Sequence, residues 1–328
     1  MQAIVYTEYG PPDVLELKEV EKPTPKDDEV LVKVHAASVN AYDWHLLTAD
    51  IFLVRLMGGG ILKSKNTILG ADIAGRVEAV GENVKQFKSG DEVFGDNSAS
   101  GNGGFAEYVS VPEIAMVLKP STLSFDQAAA VPMAAITALQ GLRDQGQIQP
   151  GQKVLINGAS GGVGTFALQI AKSFGAEVTA VCSSGKLDLA RSLGADHVID
   201  YTKEDFTQNG QQYDLILAVN GYHPISAYKR ALAPKGIYVM AGGFTTQIFQ
   251  AILLGPLMSI TGGKKMGGVS AKLNQKDLDL LKELLEAGKV VPIIDRCYPV
   301  SETAEALRYL GEGHAKGKVV ITVEQNSQ

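Results

Sequence analysis

The sequence predicts a two-domain α/β protein, a β-rich part joined to a doubly wound parallel sheet, and three observations predict it. Its 328 residues exceed what one hydrophobic core usually serves. The first 120 residues are dominated by β-branched runs separated by glycine-bearing turns. From about residue 123 the rhythm changes to short apolar strands alternating with helices, the pattern of a parallel sheet covered on both faces.

Each element follows in order. EVLVKVHAASV and AGRVEAV are strands, with VGENVKQFKSGDEV supplying turns between such runs. KVLIN then reads as a strand, followed by a helix to Phe174, the strand EVTAVC, a helix to Leu193, the strands HVID and DLILAVN, a helix around Ala227, and the strand GIYVMA. In KDLDLLKELLEAG, Leu278, Leu281 and Leu285 recur at helical spacing and Gly288 marks the stop. SETAEALRYLGEG is a further helix with Ser301 expected as its N-cap, GKVVITV is a last strand, and EQNSQ is a polar tail.

Composition narrows the function classes. Hydrophobic residues make up 45% and charged residues 20%, as in an ordinary globular protein. A net charge of −6 offers no general attraction to nucleic acid or to an anionic membrane. Cys182 and Cys297 lie far apart without CxxC spacing, against a disulfide scaffold or a four-cysteine zinc lobe and in keeping with a reducing, cytoplasmic compartment. The opening MQAIVYTEYGPPDVLEL shows no targeting pattern. QIFQAILLGPLMSI is shorter than a bilayer span and holds Gly255 and Pro256, so it is expected as a surface or interface helix.

The chemistry concentrates first in GASGGVG, residues 158 to 164, between KVLIN and an apolar helix. A dinucleotide pyrophosphate needs close backbone approach and free amides at a helix N-terminus, so side chains there must be small. Ala159, Gly161 and Gly164 occupy the G-x-G-x-x-G positions, and Ser160, Gly162 and Val163 complete the expected cradle. NAD binders place an acid about 20 residues onward, on the ribose 2′-hydroxyl. Here that stretch is VCSSGK, where Ser183, Ser184 and Lys186 offer hydroxyls and a cation. A charge-assisted hydrogen bond to a 2′-phosphate is worth roughly 1.5–3 kcal/mol, so NADPH is the expected cofactor. Tyr201 in DYTKED stands where it can pack on the adenine or reach the same phosphate. The plainer alternative makes the serines a helix N-cap and Lys186 a solvated charge.

GADIAGRVEAVG (residues 70 to 81), FKSGDEVFG, GGFAEYV, ITALQGL, INGASGGVG and GHAKGKVVI together resemble the medium-chain dehydrogenase/reductase superfamily, in its zinc-independent quinone oxidoreductase branch. The insertion IFLVRLMGGGILKSKN is similar to the subgroup of chloroplast envelope quinone oxidoreductase homologues and reticulon-interacting proteins. The resemblance implies a GroES-like substrate domain from residues 1–122 and 271–328 and a Rossmann NADPH-binding domain from 123–270. It also implies a homodimer or homotetramer built on an edge strand, with KKMGGVSAK as the candidate segment.

Zinc enzymes of the superfamily bind their catalytic metal at positions that match Asn40, Ala71, Asp72 and Met133 here, a set that cannot supply zinc's N/S ligands. Rebuilding a site from His45, Asp43 and Asp72 would rest on a lone histidine. What remains is hydride transfer to an already activated acceptor, a quinone or an α,β-unsaturated carbonyl. The resemblance makes Asn40 the contact to substrate or nicotinamide. His45 replaces the tyrosine usual at that position, which leaves Tyr42, His45 or solvent as proton source. Thr137 matches a threonine facing the nicotinamide. Asn220 with Gly221, and Gly242 with Gly243, end strands where an open parallel sheet binds ligands. Lys318 matches a basic position near the cofactor, or else is an edge-strand lysine. The stretch from Ile51 to Leu62 is either a lid or a packed surface helix. A non-catalytic NADPH-binding protein and a zinc alcohol dehydrogenase are the competing readings.

Overall fold

The computed structural model describes residues 1–50, 67–243, 245–259 and 263–323; the 51–62 insertion and the EQNSQ tail lie outside them. Two compact units result, Met1–Met133 with Leu273–Glu286 and Pro292–Gln328, and Ala134–Lys272 with Ala287–Val291.

The first unit begins with β1 (Gln2–Val5) and β2 (Glu16–Glu19), an antiparallel pair. It continues through β3 (Glu29–Val39), helix α1 (Ala41–Thr48), β4 (Asp72–Val80), β5 (Glu92–Asp96), β6 (Tyr108–Pro112) and β7 (Met116–Leu118). Helix α2 (Phe125–Ala129) packs against β3 and β4, burying Ala128 and Ala129. Helix α3 (Pro132–Gln140) leads into the second unit. The first unit therefore keeps the stretch after residue 122 up to Met133.

In the second unit the order is β8 (Lys153–Asn157), α4 (Gly162–Ser173), β9 (Glu177–Cys182), α5 (Leu187–Ser192), β10 (His197–Asp200), β11 (Tyr213–Ala218), α6 (Ile225–Ala231), β12 (Leu232–Met240), α7 (Thr245–Leu253), α8 (Gly255–Ser259) and β13 (Lys265–Gly268). These six strands are all parallel and lie in the order β10-β9-β8-β11-β12-β13. Numbered along the chain that is 3-2-1-4-5-6, the doubly wound dinucleotide-binding topology. Its central strands bury nearly every side chain, as both covered faces require.

The chain then returns to the first unit with α9 (Gln275–Glu286), β14 (Ile294–Pro299), α10 (Thr303–Gly311) and β15 (Lys318–Thr322). β15 pairs antiparallel with β3, Val319 opposite Val39, in the sheet order β14-β15-β3-β4-β5-β7, while β6 also pairs with β3. The core holds Val30, Val32, Val34, Ile73, Val319 and Ile321 together. Full burial of each such side chain is worth about 1.5–3 kcal/mol.

Two local expectations change, and residues 38 to 45, SVNAYDWH, take a structure that the sequence left unassigned. SVNAYDWH is a strand end followed at once by helix α1, since Asp43 accepts from the Asn40 N–H at 2.8 Å and so closes the first turn. Ser301 is not the N-cap of α10. It lies within a 3₁₀ turn, Val300–Glu302, closed by the Thr303 hydroxyl on the Val300 carbonyl at 2.7 Å, and the helix starts at Thr303. QIFQAILLGPLMSI forms two helices, α7 and α8, with Phe249, Leu253 and Leu257 exposed.

Two glutamines grip main chain inside the second unit. Gln140 donates through Nε2 to the Lys272 carbonyl at 2.7 Å and accepts from the Lys272 N–H at 2.9 Å. Gln169 does the same to Val291, at 3.0 and 2.8 Å. Lys272 and Val291 are the last residues of that unit's two segments.

Candidate active site and cofactor loop

In the first unit the end of β3, the head of β4 and the head of β15 meet at one buried carboxylate. Asp72 is fully buried and accepts four donors: the Ser38 hydroxyl at 2.8 Å, Asn40 Nδ2 at 3.0 Å, Lys318 Nζ at 3.4 Å and the Met133 N–H at 2.9 Å. Lys318, only 3% exposed, also donates to Asn40 Oδ1 and, at 3.4 Å, to the Val39 carbonyl. Its amine is thus turned into the cluster rather than lying along a strand edge. Buried ions persist where such partners satisfy them.

Two further carboxyls flank the hub. Asp43 accepts from the Asn40 and Gly70 N–H groups at 2.8 and 3.0 Å, and burial nonetheless pushes it up to about 7, with the Asp72 charge adding to the rise. Asp96 stands opposite Asp72 across the β4–β5 ladder, and burial followed by the Asp72 charge raises it to about 6. The positions that match a zinc site, Asn40, Ala71, Asp72 and Met133, do converge, since Asn40 and Met133 both bond Asp72. An amide, one carboxylate and a main-chain N–H are no zinc ligand set, and no cluster of three or more His, Cys, Asp or Glu able to hold a metal occurs among the described residues.

Helix α1 projects the two candidate proton donors differently. Tyr42 is half-buried, and burial raises its phenol above the usual value, so it stays protonated at neutral pH. It faces the buried Asn102. His45 is already engaged through Nδ1 with Asp50 at 2.8 Å.

In the second unit the loop leaving β8 enters α4 at Gly161, the N-cap position. Ala159 and Ser160 are buried, while Gly161, Gly162 and Val163 are partly open. Two glycines differ in what demands them. A Cβ on Gly164 would meet the Gly158 carbonyl at 2.1 Å, so helix and loop touch only because it is absent. A Cβ on Gly161 would meet nothing closer than that carbonyl at 3.8 Å, and its φ of −86° suits any residue. The fold does not require glycine at 161.

At the other strand ends, Gly242 packs on the Val219 carbonyl, where a Cβ would come to 2.6 Å, and Gly243 has a φ of +109°; both are explained by the backbone alone. Exposed Asn220 folds onto its own loop, Oδ1 accepting from Gly221 N–H at 2.8 Å. Thr137 is half-buried on α3. At the end of β9, Ser183 takes the N-cap position of a 3₁₀ turn, Ser184–Lys186, without a side-chain capping bond. Ser184 donates instead to Asp200, and Tyr201 is 60% exposed. Asp200, opposite Cys182 in the β9–β10 register, is held down at about 2 by the Ser184 and Thr202 hydroxyls.

Sequence reasoning passed over Asp200 and treated Asp72 only as a lost metal position. Each carried a legible signal, a carboxylate at the end of an apolar strand, HVID, or at the head of one, DIAGRVEAV.

Comparison with known proteins agrees with this architecture. The Alcohol dehydrogenase GroES-like domain family matches residues 26–121 and the Zinc-binding dehydrogenase family matches residues 193–321. A 2-methylene-furan-3-one reductase of Solanum lycopersicum is 38% identical over 98% of this chain and 79% of its own length. The NADPH-dependent alkenal/one oxidoreductase, chloroplastic, of Arabidopsis thaliana is 35% identical over 98% of this chain and 79% of its own. The solved quinone oxidoreductase from Coxiella burnetii superposes with a TM-score of 0.87 at 31% identity, covering 99% of both chains. With a GroES-like first unit, a Rossmann second unit and relatives of this kind along nearly its whole length, the chain belongs to the medium-chain dehydrogenase/reductase superfamily, in its zinc-independent quinone oxidoreductase branch.

Proposed function

We propose that this chain is an NADPH-dependent oxidoreductase that transfers a hydride to a quinone or an α,β-unsaturated carbonyl. The observation that carries the reading is Gly161. It opens the helix after the first strand of a 3-2-1-4-5-6 sheet, where a side chain would meet no protein atom closer than 3.8 Å but would stand in the way of a pyrophosphate approaching the main chain. The names of the relatives, an alkenal/one oxidoreductase and a furanone reductase among them, support the same acceptor class.

The residues suited to the cofactor are Ala159 to Gly164 for the pyrophosphate, Ser183, Ser184 and Lys186 for the 2′-phosphate, Tyr201 for the adenine, and Thr137, Asn220, Gly242 and Gly243 for the nicotinamide end. NADPH, when bound, supplies the hydride. Asn40 aligns the acceptor or the nicotinamide through its carboxamide. Reduction of an enone also consumes a proton, for which the side-chain candidates are Tyr42, whose phenol stays protonated, and His45, oriented through Nδ1 by Asp50. Lys318 serves the site from behind Asn40.

A homo-oligomer completes the proposal. β13 pairs only with β12 among the described residues, and on its outer side the Met266 N–H donates to Ser259 Oγ at 2.9 Å, so an edge contact there would run beside helix α8. Sedimentation would read the assembly, and a monomer at micromolar concentration would overturn it.

The deciding experiment is anaerobic product analysis with NADPH against enones, quinones and aldehydes. Stoichiometric formation of a saturated ketone or a hydroquinone supports the reading; tight NADPH binding without turnover of any acceptor favours a non-catalytic role.

A further inference from the structure

Asn40 is held between two opposite charges, and this decides more than its location. Its Oδ1 accepts from the Lys318 ammonium, and its Nδ2 donates to the Asp72 carboxylate at 3.0 Å. An end-for-end flip of the amide would put N–H groups against the ammonium and the carbonyl oxygen against the carboxylate. Both contacts would be repulsive among side chains no more than 7% exposed. Lys318 and Asp72 are themselves anchored, the lysine on the Val39 carbonyl and the aspartate on Ser38 and the Met133 N–H. What Asn40 retains is one lone pair on Oδ1 and the second hydrogen of Nδ2, for which the Ser38 carbonyl at 3.4 Å is a distant partner.

We infer that Asp72 and Lys318 are positioning residues that lock the Asn40 carboxamide in a single orientation, so that it meets its ligand with donor and acceptor already assigned. Asn40 sits at the turn from β3 into α1, and its main-chain N–H is fixed by Asp43 as well, so backbone and side chain are both set before anything binds. Preorganisation of this kind acts on the rate of the oriented step more than on ground-state affinity. The inference rests on the reading of Asn40 as a contact to acceptor or nicotinamide.

The test begins with turnover of the wild type on an enone with NADPH, because absence of turnover there would sink the functional reading and not the lock. Given turnover, Asp72→Asn and Lys318→Met should each lower kcat by about 10- to 100-fold. The acceptor KM and the NADPH Kd, the latter read by fluorescence titration, should stay within about twofold in both. In an Asn40→Ala background neither change should lower kcat further. Equal losses with and without Asn40, or a loss carried by Kd alone, would overturn the inference. If either variant fails to fold, side-chain amide exchange in the wild type decides instead. Slow exchange of one Nδ2 hydrogen of Asn40 is expected, and fast exchange of both refutes the lock.

Discussion

Gly161 and Gly164 are three residues apart in one motif, yet they are glycine for different reasons, and this separates two effects that mutagenesis usually confounds. Gly164→Ala forces a methyl group against the Gly158 carbonyl and should cost about 1–3 kcal/mol of stability, visible as a lowered Tm. Gly161→Ala meets no neighbour and, losing only an N-cap preference, should lower Tm less, while weakening NADPH binding by about tenfold or more, measured by titration. Asp43 adds a pH-dependent prediction. Its folded value of about 7 lies above the ordinary aspartate range, so the folded state keeps a proton that the unfolded chain has lost. The resulting stabilisation is complete below the ordinary range and disappears as pH rises through about 7. The Tm of Asp43→Asn should therefore gain on that of the wild type between pH 5 and pH 8, and a constant difference would refute the assignment.

Among the elements, the strands and helices of the parallel sheet were legible because each carries its own period. EVTAVC and HVID coincide with β9 and β10, and KVLIN with β8. Helix α1 was not legible: AYDWHLLT mixes polar and apolar residues with no apolar face, and what makes it helical is a carboxylate bonding a backbone amide three residues earlier. The glycine loop could be located from sequence, but which of its glycines the fold demands required the distance to the Gly158 carbonyl. Nor does any spacing reveal that Ser184 gives its hydroxyl hydrogen to Asp200, since the two strand ends become neighbours only through the β9–β10 register. That contact carries a prediction. Lys186→Ala should weaken NADPH binding about tenfold with little effect on NADH. Asp200→Asn removes a negative charge beside the same turn and should tighten NADPH binding by about two- to fivefold, an effect that added salt diminishes.

Across the whole molecule, the first unit is assembled from both ends of the chain. β15 lies between β14 and β3, and the contact from Lys318 to Asn40 spans 278 positions of sequence. No local pattern announces such a pairing, which is why the resemblance, and not periodicity, implied a domain built from two segments. The paired hydrogen bonds of Gln140 and Gln169 were equally hidden, because a glutamine inside an apolar helix gives no hint of what it will hold. Their geometry has a further result. A carboxamide that presents one donor and one acceptor to a peptide unit mimics a neighbouring strand, and it is blind to the identity of the residue it clasps. Val291, which is 46% exposed, should accept serine or threonine almost silently. Proline alone, having no hydrogen on its nitrogen, would strand Gln169 Oε1 and cost about 1–3 kcal/mol, with new cleavage by protease beside residue 291 as the symptom.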